Sequence, residues 1–556
     1  MSMRRLLPRP LGPSWPAGAA IPQSLIALAQ RDRARPILLW WSALAVMLLA
    51  LLAPILAVPI PPLIDYPNHL ARCFFLAFGA PDPVLSRIFV AHWAIIPNLA
   101  MDLILPPLMH IMPPLVAGRV VVALAVILPT TGAIALSRAS FGRLSLWSLG
   151  VGFVAYNTLF LIGALNFQLA AGVALWGAAC WVALRPHHPI AAVLTGIGFA
   201  VGAFFAHLFG FAFYAVLIGC AELASITQRG LGNAAAWRFA LKRAGAVLAV
   251  ASIPIALYLS APFAAAGGAI RWAGPAKQFL MLLVPVLAYS RLAALALLLC
   301  LAIPVLIWAR RGFLQVAPMA RIALPLLSVA YLVLPLGAKG GFWVDTRIPV
   351  LLGFMLFALI RPVHLSRRHA TCAVAAFAVL FAVRMAYITV VWRNAAHDVT
   401  AVRQVLTEVT PGSRVLVIDG NAHLTDGGHR DGGHDDEIAH NFGNAYWHYG
   451  AFALIDRRAF WSDAFALPGQ QPVALLPPYD AAGDHGLQPP RGLRTLVAGA
   501  SAAPSSNPLD YVSGWPAKFD YVLLLDADQV PNLLALVPSH LALLSHVGMA
   551  ALFRVR

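Results

Sequence analysis

Long apolar runs, interrupted by short polar or basic clusters, fill the chain as far as residue 393. Eleven of them approach the ~20 residues that a helix needs to cross a bilayer. They are Ile37–Ala57, Leu115–Leu136, Leu144–Leu161, Phe167–Leu184, Ile190–Ala206, Phe209–Ile226, Ala244–Phe263, Leu292–Ala309, Ile322–Leu336, Ile348–Ile360 and Ala370–Val391. Two further runs fit the pattern poorly. Phe279–Tyr289 is too short, and Trp93–Met112 carries Pro97, Pro106, Pro107, Asp102 and His110. The basic clusters decide the second case. With Trp93–Met112 lying at the outer interface, 19 Lys and Arg fall on inside segments and 8 on outside ones. That is the cytoplasmic excess expected of a membrane protein. The pattern therefore predicts an α-helical polytopic membrane protein of about eleven transmembrane helices, with its N-terminus cytoplasmic and its C-terminus outside.

Three parts follow. Residues 1–36 form a basic, Pro-rich cytoplasmic tail without a signal-peptide pattern. Residues 37–393 form the membrane domain, with a first outer loop at 60–114. Residues 394–556 change character, holding 16 of the 22 acidic residues and many turn residues. Strand-like runs at Arg414–Ile418, Tyr521–Leu525 and Ala550–Val555 alternate with helical stretches at Val402–Glu408 and Leu533–Val537. This part reads as a small outer, periplasmic α/β domain. Thr425–Glu437 is a Gly/Asp/His-rich loop within it.

Composition agrees with the pattern. The chain is 60% hydrophobic and only 11% charged, which excludes a soluble enzyme, a disordered chain and a fibrous protein. The net charge of +17 would suit nucleic acid, but the basic residues sit in short clusters between apolar runs and read as topology signals. Five cysteines, with no CxxC and no Cys/His pairing, give neither a disulfide framework nor a zinc site.

Only six acidic residues lie before residue 394, and four of them, Asp65, Asp82, Asp102 and Asp345, fall outside. Ionisable residues near lipid are costly and mark functional sites. Asp65 follows Pro59, Pro61 and Pro62, which end the first span. In Asp65-Tyr66-Pro67-Asn68-His69-Leu70-Ala71-Arg72, a helix starting at Asp65 would place Asp65, His69 and Arg72 on one face. The competing reading is that Asp65 merely caps that helix. Asp345 and Arg347 form a second candidate, with Arg347 suited to bidentate phosphate binding. His207, Asn166 and Gln168 lie at outer span ends, where packing hydrogen bonds are the commoner role. Arg271 and Lys277 flank Trp272 and Pro275 in an outer, non-spanning segment and are candidates for a lipid phosphate. Asp526-Ala527-Asp528 after a strand looks like a metal-holding DxD, but a strand-end turn is favoured. His429, His434, Asp435, Asp436 and His440 give only a weak metal pattern.

A first span followed at once by an acidic outer loop, many further spans and a C-terminal outer α/β domain resembles the GT-C glycosyltransferases. Asp65-Tyr66-Pro67-Asn68-His69 looks like their first-loop catalytic motif, although the paired acids common in that loop are missing. Asn166-Phe167, Ala206-His207-Leu208-Phe209 and Asp345-Thr346-Arg347 look like recurring segments of bacterial members. The resemblance implies an inverting membrane glycosyltransferase at the outer face of the cytoplasmic membrane. It would move a sugar from a polyprenyl-phosphate carrier to an envelope glycan, lipid or protein acceptor, with no nucleic-acid partner. Asp65 and His69 are then the catalytic candidates. Arg72, His207, Arg271, Lys277, Asp345 and Arg347 are the substrate-binding candidates. No metal or other cofactor is expected beyond the lipid-linked donor. Because polyprenyl phosphate leaves as a stable anion, a single carboxylate base suffices, unlike glycoside hydrolysis, which normally uses two. A transporter, a lipid flippase and a non-catalytic scaffold are the alternatives.

Overall fold

The computed structural model describes residues 23–261, 270–338, 341–420, 445–467, 469–483, 492–502, 511–530 and 532–556. The 425–437 loop, with its histidines, lies outside these residues. By contacts the chain divides into two units, Met1–Val46 and Met47–Arg556, and the helix Gln23–Leu56 contains the dividing point. In the first unit Ile37, Leu38, Leu39 and Trp41 are exposed. The sites described below lie in the second unit.

Eight helices among the described residues are long and apolar enough to cross a membrane: Ile37–Leu56, Pro114–Phe141, Leu165–Leu184, Pro189–Ala206, Leu208–Arg229, Ala234–Ser260, Arg291–Arg310 and Arg367–Glu408. The protein is a multi-pass membrane protein. Three of the eleven expected spans are shorter than expected, and each has a local cause. The Ile322–Leu336 run forms helix only over Ala320–Val333, because Leu334 precedes Pro335 and turns extended. The Ile348–Ile360 run is helical over Arg347–Leu359. Its end, Ile360–Pro362, pairs instead with Leu314–Val316. The Leu144–Leu161 run breaks at Asn157, whose side chain caps a new helix by accepting from Phe160 N. At ~1.5 Å per residue a 13- or 14-residue helix reaches only ~20 Å of a ~30 Å hydrocarbon layer.

The three shorter helices nevertheless run between the same two ends of the bundle. At one end Arg361 binds Gln315 and lies over Phe141, 4.5 Å from the ring centroid. At the other, Gly337 pairs with Arg271, and Asp65 N donates to Ile162 O at 2.8 Å. The residues after the first span touch the C-terminal region. Phe89–Ala91 pairs antiparallel with Val473–Leu475, and Arg458 Nε meets Asp82 at 2.5 Å. The helix Ala100–Met109 has ten residues and two prolines.

Two breaks in this bundle leave carbonyls without helical partners, which lipid cannot satisfy. Arg384, buried in the Arg367–Val405 helix, donates from Nη1 to Val286 O at 2.7 Å and from Nη2 to Tyr156 O at 2.9 Å. Thr158 Oγ1 takes up Leu287 O at 2.9 Å. Arg384 is thus a structural tie. Arg384→Leu should lower thermal stability in detergent by roughly 1–3 kcal/mol for each orphaned carbonyl. An unchanged melting temperature would remove this role.

The Arg367–Val405 helix runs unbroken through residues 393 and 394 into the C-terminal region. There a five-stranded sheet has the order Leu541–Val547, Ala550–Val555, Tyr521–Leu525, Arg414–Asp419, Phe460–Trp461. Arg414–Asp419 is parallel to both its neighbours, and the other pairs are antiparallel. The three expected strands are present to within a residue. Phe460–Trp461, two residues long, and the hairpin strand Leu541–Val547 carried too little pattern to be read beforehand.

Candidate active site

Asp65 sits just before the helix Tyr66–Phe78, at its N-cap position, but its side chain makes no capping hydrogen bond. The carboxylate faces His448 instead, with Oδ1 at 3.6 Å from Nε2. This is an electrostatic contact rather than a hydrogen bond. The other side of the imidazole is fixed. Nδ1 lies 3.1 Å from Asp463 Oδ2 and 2.8 Å from Asn68 Nδ2. Asn68 is itself locked, donating to Asp463 O at 2.7 Å and accepting from Phe465 N at 3.0 Å. Phe465 packs edge-on against both His448 and His69. Asp463 and Asn68 are fully buried and His448 nearly so, whereas the Asp65 side chain keeps 29% exposure. The one accessible carboxylate in the cluster is therefore that of Asp65. Burial pushes the Asp65 pKa up to about 6, against the lowering influence of His448 and Arg72.

The backbone beneath Asp65 is also constrained. Asp65 N is held by Ile162 O, and the next residue, Gly163, adopts φ +100°. A Cβ on Gly163 would fall 2.8 Å from Asp65 N and 3.0 Å from Asp65 Cβ. Only glycine combines that conformation with that approach.

His69 and Arg72 share a helix face with Asp65, as their spacing predicted, but they face buried partners. Arg72 forms a bidentate pair with Asp102, 2.7 Å and 2.9 Å, and its Nη2 lies 3.1 Å from His69 Nδ1. Guanidinium only donates, so His69 Nδ1 accepts and the ring proton sits on Nε2. Burial, then Arg72, holds His69 well below the usual histidine range, so it is neutral. Asp102 and Asp82, two of the four outer acids, are both occupied in ion pairs.

The second group of expected residues gathers around Arg347. Its guanidinium lies 5.1 Å from the Phe209 ring centroid and 5.8 Å from that of Phe167. It donates to Trp343 O at 2.7 Å. His207 caps the Leu208–Arg229 helix through Nδ1, accepting from Phe209 N, and packs on the same two rings. Asp345 is buried. Its Oδ1 accepts from Thr346 N, and its Oδ2 has no hydrogen-bond partner among the described residues. Lys277 Nζ lies over Trp343 at 4.8 Å, and Arg271 is tied by its backbone to Gly337. Phe167 lies in the first turn of the Leu165–Leu184 helix, four residues beyond Gly163. Asn166 holds the 98–101 turn, accepting from Met101 N and donating to Asn98 O. Gln168 donates to Ala155 O.

His448 and Asp463 were not singled out from the sequence. Asp526, by contrast, occupies a left-handed turn after the Tyr521–Leu525 strand and accepts from Tyr446 Oη, the strand-end role expected of it. Among the described residues no group of three or more His, Cys, Asp or Glu is placed to hold a metal ion.

Fold and site together define a multi-pass membrane protein. It carries an aspartate–histidine–aspartate cluster where the first extramembrane loop meets a C-terminal α/β region. Two solved structures are similar to it in layout. One is ArnT from Cupriavidus metallidurans bound to undecaprenyl phosphate, at 13% identity and a TM-score of 0.47, over 93% of this chain and 97% of that one. The other is a mutant of the mycobacterial arabinofuranosyltransferase AftD, at 14% identity and a TM-score of 0.42, over 93% of this chain and 41% of that one. No family model and no curated protein matches the sequence.

Proposed function

We propose that this chain is a membrane glycosyltransferase that moves a sugar from a polyprenyl-phosphate carrier to an acceptor hydroxyl at the outer face of the cytoplasmic membrane. One observation carries the reading: Asp65 leaves its cap position unused and presents a partly exposed carboxylate of raised pKa, braced by the buried His448–Asp463 pair. A base with a pKa near 6 is mostly ionised at neutral pH and still basic enough to take a proton.

In the proposed reaction Asp65 accepts the acceptor hydroxyl proton as that oxygen bonds to the anomeric carbon. The bond from that carbon to the phosphate oxygen breaks, and the electron pair leaves with the polyprenyl phosphate. A single displacement of this kind inverts the anomeric configuration. The leaving anion needs cations rather than a proton donor. Arg347, Arg271 and Lys277 supply them, with His207 beside Arg347. His448 and Asp463 position Asp65 and set its basicity. His69 and Arg72 hold the helix that carries Asn68, through the Arg72–Asp102 pair.

The direct experiment is to incubate the purified chain with labelled polyprenyl-phosphate sugars in membranes that supply acceptors. The reading expects consumption of the donor and release of polyprenyl phosphate. If no donor is turned over by folded protein, the reading fails. Gly163→Ala should lower that turnover at least about tenfold, because a displacement of even ~1 Å in a reacting group is costly. Turnover unchanged in Gly163→Ala would mean that the placement of Asp65 is unimportant.

A further inference from the structure

A cavity of about 630 Å³ opens between the first extramembrane loop and the C-terminal sheet. It shares no residue with the Asp65 cluster or the Arg347 group. Its size falls within the range of about 300–1,000 Å³ typical of small-molecule sites. Three exposed arginines, Arg87, Arg554 and Arg556, border it, and their guanidinium groups make no ion pair or side-chain hydrogen bond among the described residues. The one side-chain carboxylate in the wall, Asp520, is already bound by Arg414, which donates from its backbone N at 2.7 Å and lies 3.3 Å away at Nη2, and the α-carboxylate of Arg556 offsets only one of the three arginines. The cavity is therefore cationic. Its remaining wall is rich in hydroxyls. Thr410 Oγ1 lies 2.6 Å from Ser413 Oγ and 3.3 Å from Tyr521 Oη, and Tyr479 Oη donates to Gly412 O. Apart from two prolines, Val84, Val555 and the buried Phe519 are its only apolar side chains, too little to hold an acyl chain.

We infer that this cavity binds an anionic saccharide, one that carries carboxylate or phosphate groups on its rings. Guanidinium groups match such anions bidentately, whereas the hydroxyls and the Tyr479 ring match sugar hydroxyls and ring faces. A single phosphate ion would leave most of the volume empty. The inference goes beyond the transfer reading and does not rest on it, since binding is read without turnover.

The test is calorimetric titration of the full purified chain in detergent with trigalacturonate, its fully methyl-esterified neutral form, and inorganic phosphate. The inference expects trigalacturonate to bind, and added salt to weaken it. The neutral form should bind at least about tenfold more weakly. Arg87→Gln combined with Arg554→Gln should weaken trigalacturonate by about tenfold or more. Both positions are exposed, so folding should survive. Three results would overturn the inference: no binding of trigalacturonate, equal binding of the esterified form, or an unchanged affinity in the double variant. Inorganic phosphate binding as tightly as trigalacturonate would also overturn it, leaving a general anion patch.

Discussion

Asp65→Asn is expected to cut sugar transfer by on the order of 10²–10⁴ while leaving insertion and abundance near normal. Asn keeps the size and hydrogen-bonding shape of Asp but cannot accept a proton from an alcohol. Loss of a helix cap cannot explain such a fall, because the Asp65 side chain makes no capping bond. Stability should move the other way. Folded Asp65 holds its proton more tightly than the unfolded chain does, with a pKa raised from 3.8 to about 6. Protonation therefore stabilises the fold, fully so below pH ~4, and that stabilisation is lost as pH rises through about 6. At pH 7.5 Asp65→Asn removes a partly desolvated charge and should gain about 1–2 kcal/mol, the residual 29% exposure of the side chain screening the rest, a gain that fades as pH falls from 6 towards 4. A variant both less stable and inactive at pH 7.5 would point to a structural role for Asp65 instead.

His448→Ala is expected to be the next most damaging change, lowering transfer by about 10–10²-fold through loss of positioning. A purely structural role would predict a fall at every pH alike. Here the pH profile should also move. His448 lowers the Asp65 pKa, so its removal should carry the acidic limb of the rate profile upward from about 6. Asp463→Asn should cost less than His448→Ala, because the isosteric amide keeps a polar group beside His448 Nδ1. Asp463→Ala should approach the full loss. Measuring the rate of donor consumption from pH 5 to 8 for the three variants checks both points. An acidic limb that stays in place in His448→Ala would separate His448 from Asp65.

Asp65 was legible in the sequence because acids are scarce there. Six lie before residue 394, four of them expected on the outer side, and lipid makes each conspicuous. The structure accounts for two of them as partners of Arg72 and Arg458. His448 and Asp463 were hidden for the opposite reason. They lie in a polar region that holds 16 of the 22 acidic residues, and no spacing rule links them to Asp65 across some 380 positions. The one available signal was local. His448 stands between Trp447 and Tyr449, an imidazole in an apolar stretch that had to be buried. Arg72 was grouped with substrate binding because face-sharing on a helix does not reveal what the face meets, which here is Asp102. The span lengths failed where hydrophobicity continued past a backbone signal. Pro335 ended one helix, and Asn157 started another inside a run that composition alone reads as continuous. The sheet was legible in apolar runs rich in β-branched residues, as in Arg414–Asp419, and silent at the two-residue Phe460–Trp461 and at Leu541–Val547, where Ser545 and His546 break the run.

In the proposed reaction Asp65 acts as the base with a pKa near 6. The pH dependence of donor consumption by the unaltered chain, at limiting donor and set beside Asp65→Asn at each pH, tests it most directly. The account predicts that the rate is level near neutrality and falls about tenfold per unit below pH 6. Asp65→Asn should lie near background throughout. A rate that is flat from pH 5 to 8, or an Asp65→Asn variant that tracks the unaltered chain, would contradict it.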